Sequence, residues 1–183
     1  MILPESITCP KCNQTSFNQQ DVEYGYCGHC HWWTSDFALN HFSNGIFGAQ
    51  LSCKLAHADQ FRWDKTEYYL HPFAVADLVR LNNGNEETII AAYLHDIVED
   101  TDVSIEAIRE YFGDRVAEIV DLVSKPLGMP YSEFIDRVCT DADAMLLKRC
   151  DIIHNLSTLP MSHGMNDRYL KALHQIYEAA RKL

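Results

Sequence analysis

The sequence predicts an all-α helical domain preceded by a small cysteine-rich module. From Asn40 onward, apolar residues recur at helical spacing between short polar breaks, and strand-like alternation is not convincing anywhere in that part. Before residue 40, two CxxC pairs enclose a polar segment that is too poor in apolar residues to build a core. We therefore expect a module at 1–40 and a helical domain at 41–183, which suits a chain of 183 residues.

The composition restricts the partners that the chain can bind. A hydrophobic content of 47% is enough for a packed core, and no apolar run approaches the roughly twenty residues of a membrane span. A formal net charge of −11 argues against bulk binding to nucleic acid or to an anionic membrane. A phosphorylated small molecule remains compatible, because carboxylates that bind a metal add negative charge. With no secretory signal visible, we expect a cytoplasmic protein.

The N-terminal cysteines have the spacing of a zinc ribbon. CPKC at 9–12 and CGHC at 27–30 each supply two thiolates from a tight turn, so Cys9, Cys12, Cys27 and Cys30 complete a tetrahedral Zn²⁺ site. The metal would supply the folding free energy of a segment that has no core of its own. His29 and His31 are alternative ligands, although we expect them to be exposed polar residues beside the turn. The ribbon is either a docking module for a protein or nucleic acid or a folded cap on the helical domain.

The helical domain divides into eight predicted helices. Pro72 is placed where proline is tolerated, in a first turn, and Thr101 or Ser104 would cap the short helix that Gly113 ends. A polar and aromatic loop precedes Pro72. The predicted ranges are 45–59, 72–82, 86–100, a short helix from 101 or 104 to 112, 116–123, 132–139, 143–159 and 167–183.

The stretch IIAAYLHDIVEDT at 89–101 carries the densest chemistry. In one continuous helix, its polar residues His95, Asp96, Glu99 and Asp100 would share a face opposite an apolar one. Asp96 and Asp100 form a like-charge pair at i,i+4, which is unfavourable unless a cation lies nearby. A metal ion would remove that cost. The alternative is an ordinary solvated acidic turn.

Two residues outside this stretch complete a possible metal site. His71 precedes a proline, so its side chain projects from a helix start, where a cap or a packing role is the alternative. Asp151 is a carboxylate on an apolar helix row, and such a carboxylate needs a partner. That partner is either a metal ion or a buried ion pair with Lys148 or Arg149.

Taken together, two imidazoles and two carboxylates form a mixed nitrogen and oxygen ligand set. This set, formed by His71, His95, Asp96 and Asp151, suits manganese, iron, cobalt or magnesium better than it suits zinc in a closed tetrahedral site. Such an ion acidifies a water and polarises a phosphoryl oxygen. Glu99 lies one turn after His95, where a general base or acid would act.

These motifs resemble a known family in the expected order. HP at 71–72, HDIVEDT at 95–101, FGDRVAEIVDLVSK at 112–125 and KRCDIIHNLSTL at 148–159 are similar to the HD-type hydrolase domain of RelA/SpoT proteins. The lead-in AHADQFRWDKTEYYLHP at 56–72 is also similar to that family. The resemblance implies an all-α HD-domain helical bundle acting as a stand-alone small alarmone hydrolase. Such a protein removes the 3′-pyrophosphate of (p)ppGpp with Mn²⁺ or another divalent ion.

The resemblance also implies roles for individual residues. His71, His95, Asp96 and Asp151 would be the metal ligands, and Glu99 with Asp100 would position and activate the attacking water. The implied substrate-binding residues are Arg62 against the purine and Asn155 and Thr158 on the ribose or phosphate. Beside Arg62, two residues of this chain itself are candidates: Trp63 could stack on the base, and Lys65 could supply the cation that the family has at position 63. Trp63 stands where the family has a lysine, and an indole stacks on a base but does not replace a cation.

Three functional hypotheses follow. The first is a phosphohydrolase that removes the 3′-pyrophosphate of (p)ppGpp. The second keeps the HD chemistry but takes another nucleotide or a phosphorylated cofactor, which Trp63 favours. The third is an interaction protein that senses a nucleotide and binds a protein partner through the zinc ribbon.

Overall fold

The computed structural model describes residues 5–9, 12–18, 22, 26–27, 29, 32–33, 45–160 and 164–182. Within these residues the body is helical, with short strands confined to the N-terminal part. The helices are α1 Ile46–Ala56, α2 Leu70–Leu81, α3 Glu86–Leu94, α4 Ile97–Asp100, α5 Ile105–Phe112, α6 Asp114–Val123, α7 Tyr131–Val138, α8 Ala142–Thr158 and α9 Asn166–Ala180. The predicted domain boundary at 40–41 lies outside the described residues.

The N-terminal part contains two short antiparallel hairpins. Strand β1 (Ile7–Thr8) pairs with β2 (Thr15–Ser16), and β3 (Tyr26–Cys27) pairs with β4 (Trp32–Trp33). Two-residue strands cannot hold a fold by themselves, because a lone hairpin is at best marginally stable in water. An additional constraint such as a metal ion or packing on another domain is therefore needed to stabilise them.

Helix α3 forms the centre of the core. From Thr88 to Leu94 every residue is buried, and the helix packs against α1, α2, α6 and α8. A helix that is apolar around its whole circumference belongs in a protein interior. Helix α8 contacts α2, α6 and α9 as well as α3, so it links the centre of the bundle to the C-terminal helix.

The prediction of one continuous helix over 86–100 is wrong at the His95–Asp96 step. Helix α3 ends at Leu94 and α4 begins at Ile97, with Asp96 between them at φ −95° and ψ −8°. The imidazole Nδ1 of His95 lies 2.8 Å from the carbonyl oxygen of Ala92 in the preceding turn. This side-chain bond competes with the backbone bond that a continuous helix needs there. The remaining predicted helices are present, with ends shifted by a few residues.

Polar caps fix the helix ends that lie near the centre. The side chain of Asn85 accepts from the backbone N–H of Thr88 at 2.8 Å and so caps α3, while Asp141 caps α8 in the same way. Arg115 on α6 donates to Asp141 at 2.9 Å and to Asp143 at 2.6 Å. These bonds join α6 to the start of α8.

No helix in the described part of the chain is long and apolar enough to cross a membrane.

Replacing Asn85 by alanine should destabilise the domain by about 1 kcal/mol, because the α3 cap is lost. Asn85→Ser keeps an oxygen acceptor at the cap and should cost only a few tenths of a kcal/mol, about as much as other exposed changes. Urea unfolding followed by circular dichroism measures both variants. Equal stability of the alanine and serine variants would show that the cap contributes nothing.

Candidate metal centre and cavity

Three helices bring two imidazoles and a carboxylate to one buried point. His71 lies in the first turn of α2, His95 follows α3, and Asp151 lies on α8. One potential ligand atom from each lies within 4.8 Å of the others, and all three residues are buried. Asp151 Oδ1 is 3.1 Å from Nε2 of His71 and 3.8 Å from Nε2 of His95.

Asp96 joins this cluster from the break between α3 and α4. Its Oδ1 is 3.2 Å from Nε2 of His95, and its Oδ2 is 3.5 Å from Nε2 of His71. The structure therefore brings together all four residues predicted as metal ligands. The break in the helix allows His95 and Asp96, which are neighbours in sequence, to approach the same point.

The protonation of His95 shows that this cluster fits a cation. Its Nδ1 contacts the carbonyl oxygen of Ala92, which can only accept, so Nδ1 carries the proton. Its Nε2 is buried without a hydrogen-bond partner, although Asp96 and Asp151 are close. In the neutral ring, a nitrogen lone pair faces carboxylate oxygens, and the two repel. A divalent ion suits this mixed nitrogen and oxygen set.

The same electrostatics shift the pKa values of the cluster. Burial alone lowers the pKa of His95, but the carboxylates of Asp96 and Asp151 outweigh burial and raise it to about 10. Burial raises the pKa of Asp96, but the nearby His95 and His71 lower it by more. The pKa of Asp96 therefore lies below its ordinary value. Two carboxylates at this depth therefore require a positive charge, supplied by a proton on His95 or by a metal ion.

Each residue of the cluster has an outer partner that holds it in place. The hydroxyl of Tyr68 donates to Oδ2 of Asp96 at 2.9 Å. Nδ1 of His71 is 2.7 Å from Nδ1 of His154. Burial and the nearby His71 lower the pKa of His154 to about 4, so His154 is neutral and able to accept. The sequence did not identify Tyr68 and His154 as site residues. Each lies three residues from a predicted ligand, His71 or Asp151, and this spacing is the signal that could have identified them.

Asp151 contacts a lysine with one oxygen and faces the imidazoles with the other. Its Oδ2 forms a buried ion pair with Nζ of Lys148 at 2.8 Å, while its Oδ1 faces the imidazoles. Asn155 Nδ2 also donates to Oδ1, at 2.7 Å. Burial lowers the pKa of Lys148, but the Asp151 carboxylate outweighs burial and holds that pKa above its ordinary value. Lys148 is therefore a permanent cation beside the cluster.

A cavity of about 260 Å³ opens beside the cluster. Glu99 lies in its wall, and its Oε1 accepts from the backbone N–H of Lys125 at 2.9 Å. Asp100 is not among the lining residues; desolvation and then the charge of Asp96 raise its pKa. The lining is formed by Tyr68, His71, Asp96, Glu99, Lys125, Tyr131, Phe134, Lys148, Asp151, Asn155, Arg168 and Tyr169.

The residues predicted to bind substrate divide into two groups. Arg62 Nη2 donates to Asn155 Oδ1 at 3.1 Å and to Thr158 Oγ1 at 2.9 Å, so these three residues are together. Asn155 also lines the cavity. Trp63 and Lys65 are exposed on the loop before α2, and neither lines the cavity. The group of three therefore forms a polar connection between that loop and α8.

Three of the four predicted zinc ligands lie close together. One sulfur each from Cys9, Cys12 and Cys27 lies within 4.8 Å of the others, and Sγ of Cys12 is 3.6 Å from Sγ of Cys27. The fourth, Cys30, lies outside the described residues. The three described positions have the arrangement that a thiolate site needs. The zinc ribbon itself stays a prediction.

Comparison with known proteins identifies the class of this domain. Residues 49–133 match the family model described as HD domain. That range includes His71, His95, Asp96 and Glu99 and ends before Asp151. A solved structure described as a metazoan ortholog of SpoT that hydrolyses ppGpp superposes with a TM-score of 0.63 at 24% identity, covering 74% of this chain and 85% of that one. The predicted helical HD-domain fold is confirmed.

Curated relatives are similar to this chain over part of its length. A probable guanosine-3′,5′-bis(diphosphate) 3′-pyrophosphohydrolase of Synechocystis is 37% identical over 114 residues, which are 56% of this chain and 15% of that protein. The bifunctional (p)ppGpp synthase/hydrolase SpoT of Escherichia coli is 33% identical over 122 residues, 61% of this chain and 17% of that protein. The chain thus spans about a sixth of the length of these relatives. Over this region the chain is similar to proteins of the SpoT and RelA type, as the motifs predict.

Binding of Mn²⁺ should tighten as the pH rises, because the ion must displace the proton that the raised pKa of His95 retains. Below pH 10 the apparent association constant should increase by up to about tenfold per pH unit, with release of a proton. Isothermal titration at pH 6, 7 and 8, in buffers of different ionisation enthalpy, measures both effects. His95→Gln should abolish binding, and the exposed change Glu110→Gln should not. Affinity independent of pH would contradict this assignment.

Proposed function

We propose that this protein is a metal-dependent phosphohydrolase that removes the 3′-pyrophosphate of (p)ppGpp. The observation that supports it is the convergence of His71, His95, Asp96 and Asp151 beside a cavity whose wall contains Glu99. Homologous domains occur in proteins named guanosine-3′,5′-bis(diphosphate) 3′-pyrophosphohydrolase. A ligand cluster and an adjacent acid are the two parts that the proposed metal-dependent hydrolysis uses.

The four converging residues are proposed to hold one divalent ion, with Mn²⁺ as the favoured candidate. When bound, such an ion supplies Lewis acidity, which makes a phosphoryl group more electrophilic and water more acidic. Tyr68, His154 and Lys148 would keep the ligands oriented through the bonds described above. These outer contacts support a site that is prepared before the ion arrives.

Glu99 is proposed as the general base. The backbone N–H of Lys125 fixes its Oε1, so the carboxylate is held at the cavity wall. It would accept a proton from water as the water oxygen bonds to the phosphorus next to the ribose 3′ oxygen. The bond from that phosphorus to the 3′ oxygen breaks, and pyrophosphate leaves. The 3′ oxygen takes up a proton from solvent, and Glu99 returns to solvent the proton that it accepted, so that the base is regenerated. Asp100 is proposed to help to orient the water.

The nucleoside is proposed to lie near the loop before α2. Arg62 is ordered by Asn155 and Thr158, so its guanidinium offers a planar surface to a purine at little additional entropic cost. Lys65 and Trp63 are exposed nearby on the same loop. The 58% exposure of Trp63 favours a second candidate function, the hydrolysis of another nucleotide or phosphorylated cofactor whose base stacks on the indole.

Residues 1–40 are proposed to form a four-cysteine zinc ribbon ahead of the HD-type domain at 41–183. The close approach of Cys9, Cys12 and Cys27 supports this, and Cys30 is proposed as the fourth ligand. Two hairpins of two residues per strand need such a constraint to remain folded. The ribbon offers a docking surface for a protein partner.

Purified protein with Mn²⁺ should convert ppGpp to GDP and pyrophosphate, detected by anion-exchange chromatography. Glu99→Gln should lower kcat by about 10² to 10⁴-fold while Mn²⁺ still binds, because the base is removed without changing a ligand. Asp96→Ala should abolish turnover, and the exposed Glu110→Gln should match the unaltered protein. Turnover of another nucleotide alone would favour the second function. Tight binding of ppGpp without hydrolysis would favour a nucleotide sensor.

The protein should retain one zinc ion after mild chelation removes the ion of the HD site, because thiolate ligands hold zinc far more tightly than mixed oxygen ligands do. Cys12→Ser should lose this zinc, and Cys139→Ser, which changes a cysteine outside the cluster, should retain it. Inductively coupled plasma mass spectrometry gives the zinc content. Equal zinc in both variants would exclude the ribbon.

A further inference from the structure

Lys148 is a buried cation between the ligand cluster and the cavity. Its side chain is 11% exposed, and its Nζ lies 2.8 Å from Oδ2 of Asp151 and 5.2 Å from the centre of the Phe134 ring. It also lines the cavity with both of these residues. An ammonium group has three N–H donors, and Asp151 accepts from one of them. A buried ammonium group in this position can donate a hydrogen bond to a molecule that enters the cavity.

The charges of the cavity wall balance until a metal ion is added. The lining contains three carboxylates and three cations, which are Asp96, Glu99 and Asp151 against Lys125, Lys148 and Arg168. With a divalent ion on the cluster, the wall becomes positive, although the whole chain has a formal charge of −11. Lys148 is the buried one of the three cations, so its charge is screened least by solvent.

We propose that Lys148 is an anion-binding residue of the metal-loaded cavity. Its ammonium group holds Asp151 through Oδ2 and binds an oxygen of the phosphoryl group with another N–H. This inference rests on the metal site of the proposed function, but it does not depend on which nucleotide is hydrolysed. The chemical class of ligand is a phosphate, because a compact ammonium with several donors suits its charged oxygens.

A purely structural role for Lys148 and an anion-binding role predict different changes in metal binding when its charge is removed. If Lys148 only orients Asp151, its removal frees the carboxylate and weakens metal binding by about 10 to 100-fold. If its charge serves an incoming anion, its removal takes a positive charge away from the metal, so metal binding is retained or becomes tighter. Binding of phosphate then weakens. The two measurements move in different directions, and this separates the roles.

The test compares Lys148→Met with Lys148→Gln. Both substitutions remove the charge of Lys148. Methionine keeps only the apolar stem, whereas glutamine also keeps a neutral N–H donor for Asp151 and so preserves that hydrogen bond. Lys171→Met makes the same charge change at an exposed position on α9 outside the cavity lining. Isothermal titration first gives the Mn²⁺ affinity, and a second titration of the Mn²⁺-loaded protein with inorganic phosphate gives the anion affinity.

We expect Lys148→Gln, which keeps a donor for Asp151, to bind Mn²⁺ at least as tightly as the unaltered protein. Both Lys148 variants should bind phosphate at least about tenfold more weakly. Lys171→Met should change neither affinity. Loss of Mn²⁺ binding in a folded Lys148→Gln protein would overturn the proposal, as would unchanged phosphate affinity in that variant. If Lys148→Met does not fold, Lys148→Gln decides alone. Because no nucleotide is used, absent ppGpp turnover would refute the proposed substrate and leave this result standing.

Discussion

The arrangement of this domain depends on the burial of Asp151 between a lysine and two imidazoles. One carboxylate oxygen faces the imidazoles of His71 and His95, and the other contacts Lys148. A carboxylate is stable at such depth only where its lone pairs are satisfied. Helix α8 must therefore pass close to α2 and to the end of α3, and these contacts also organise the bundle. The core and the candidate site are held by the same helices.

The interruption between α3 and α4 is the second feature on which the site depends. In a regular helix, adjacent residues point about 100° apart, so they do not reach one small ion easily. The bond from His95 to the carbonyl of Ala92 and the turned backbone of Asp96 bring both side chains to the same place. The buried residues of α3, which precede His95 in the chain, fix the position of the break. A local departure from helical geometry is thus supported by a rigid core.

The two parts of the chain achieve their stability by different means. The helical part has a continuous core that extends from α1 to α9 and surrounds a charged cluster. In the N-terminal part, the described strands are two residues long, and the cysteine cluster is the feature that can constrain them. The matched HD range, 49–133, does not include that cluster. The chemistry of the cavity and the role of the N-terminal module are therefore separate questions.

The sequence by itself determined the helical class, the identity of the four converging residues and the CxxC spacing, because periodicity and ligand type are local properties. It did not reveal the break at His95–Asp96, the outer partners Tyr68 and His154, or the link from Arg62 to α8. It also left open whether Asp151 faces a lysine or a metal site. The tertiary structure decided that one oxygen of Asp151 contacts Lys148 and the other faces the imidazoles, because only the packing of distant helices determines which atoms lie on each side of a buried carboxylate.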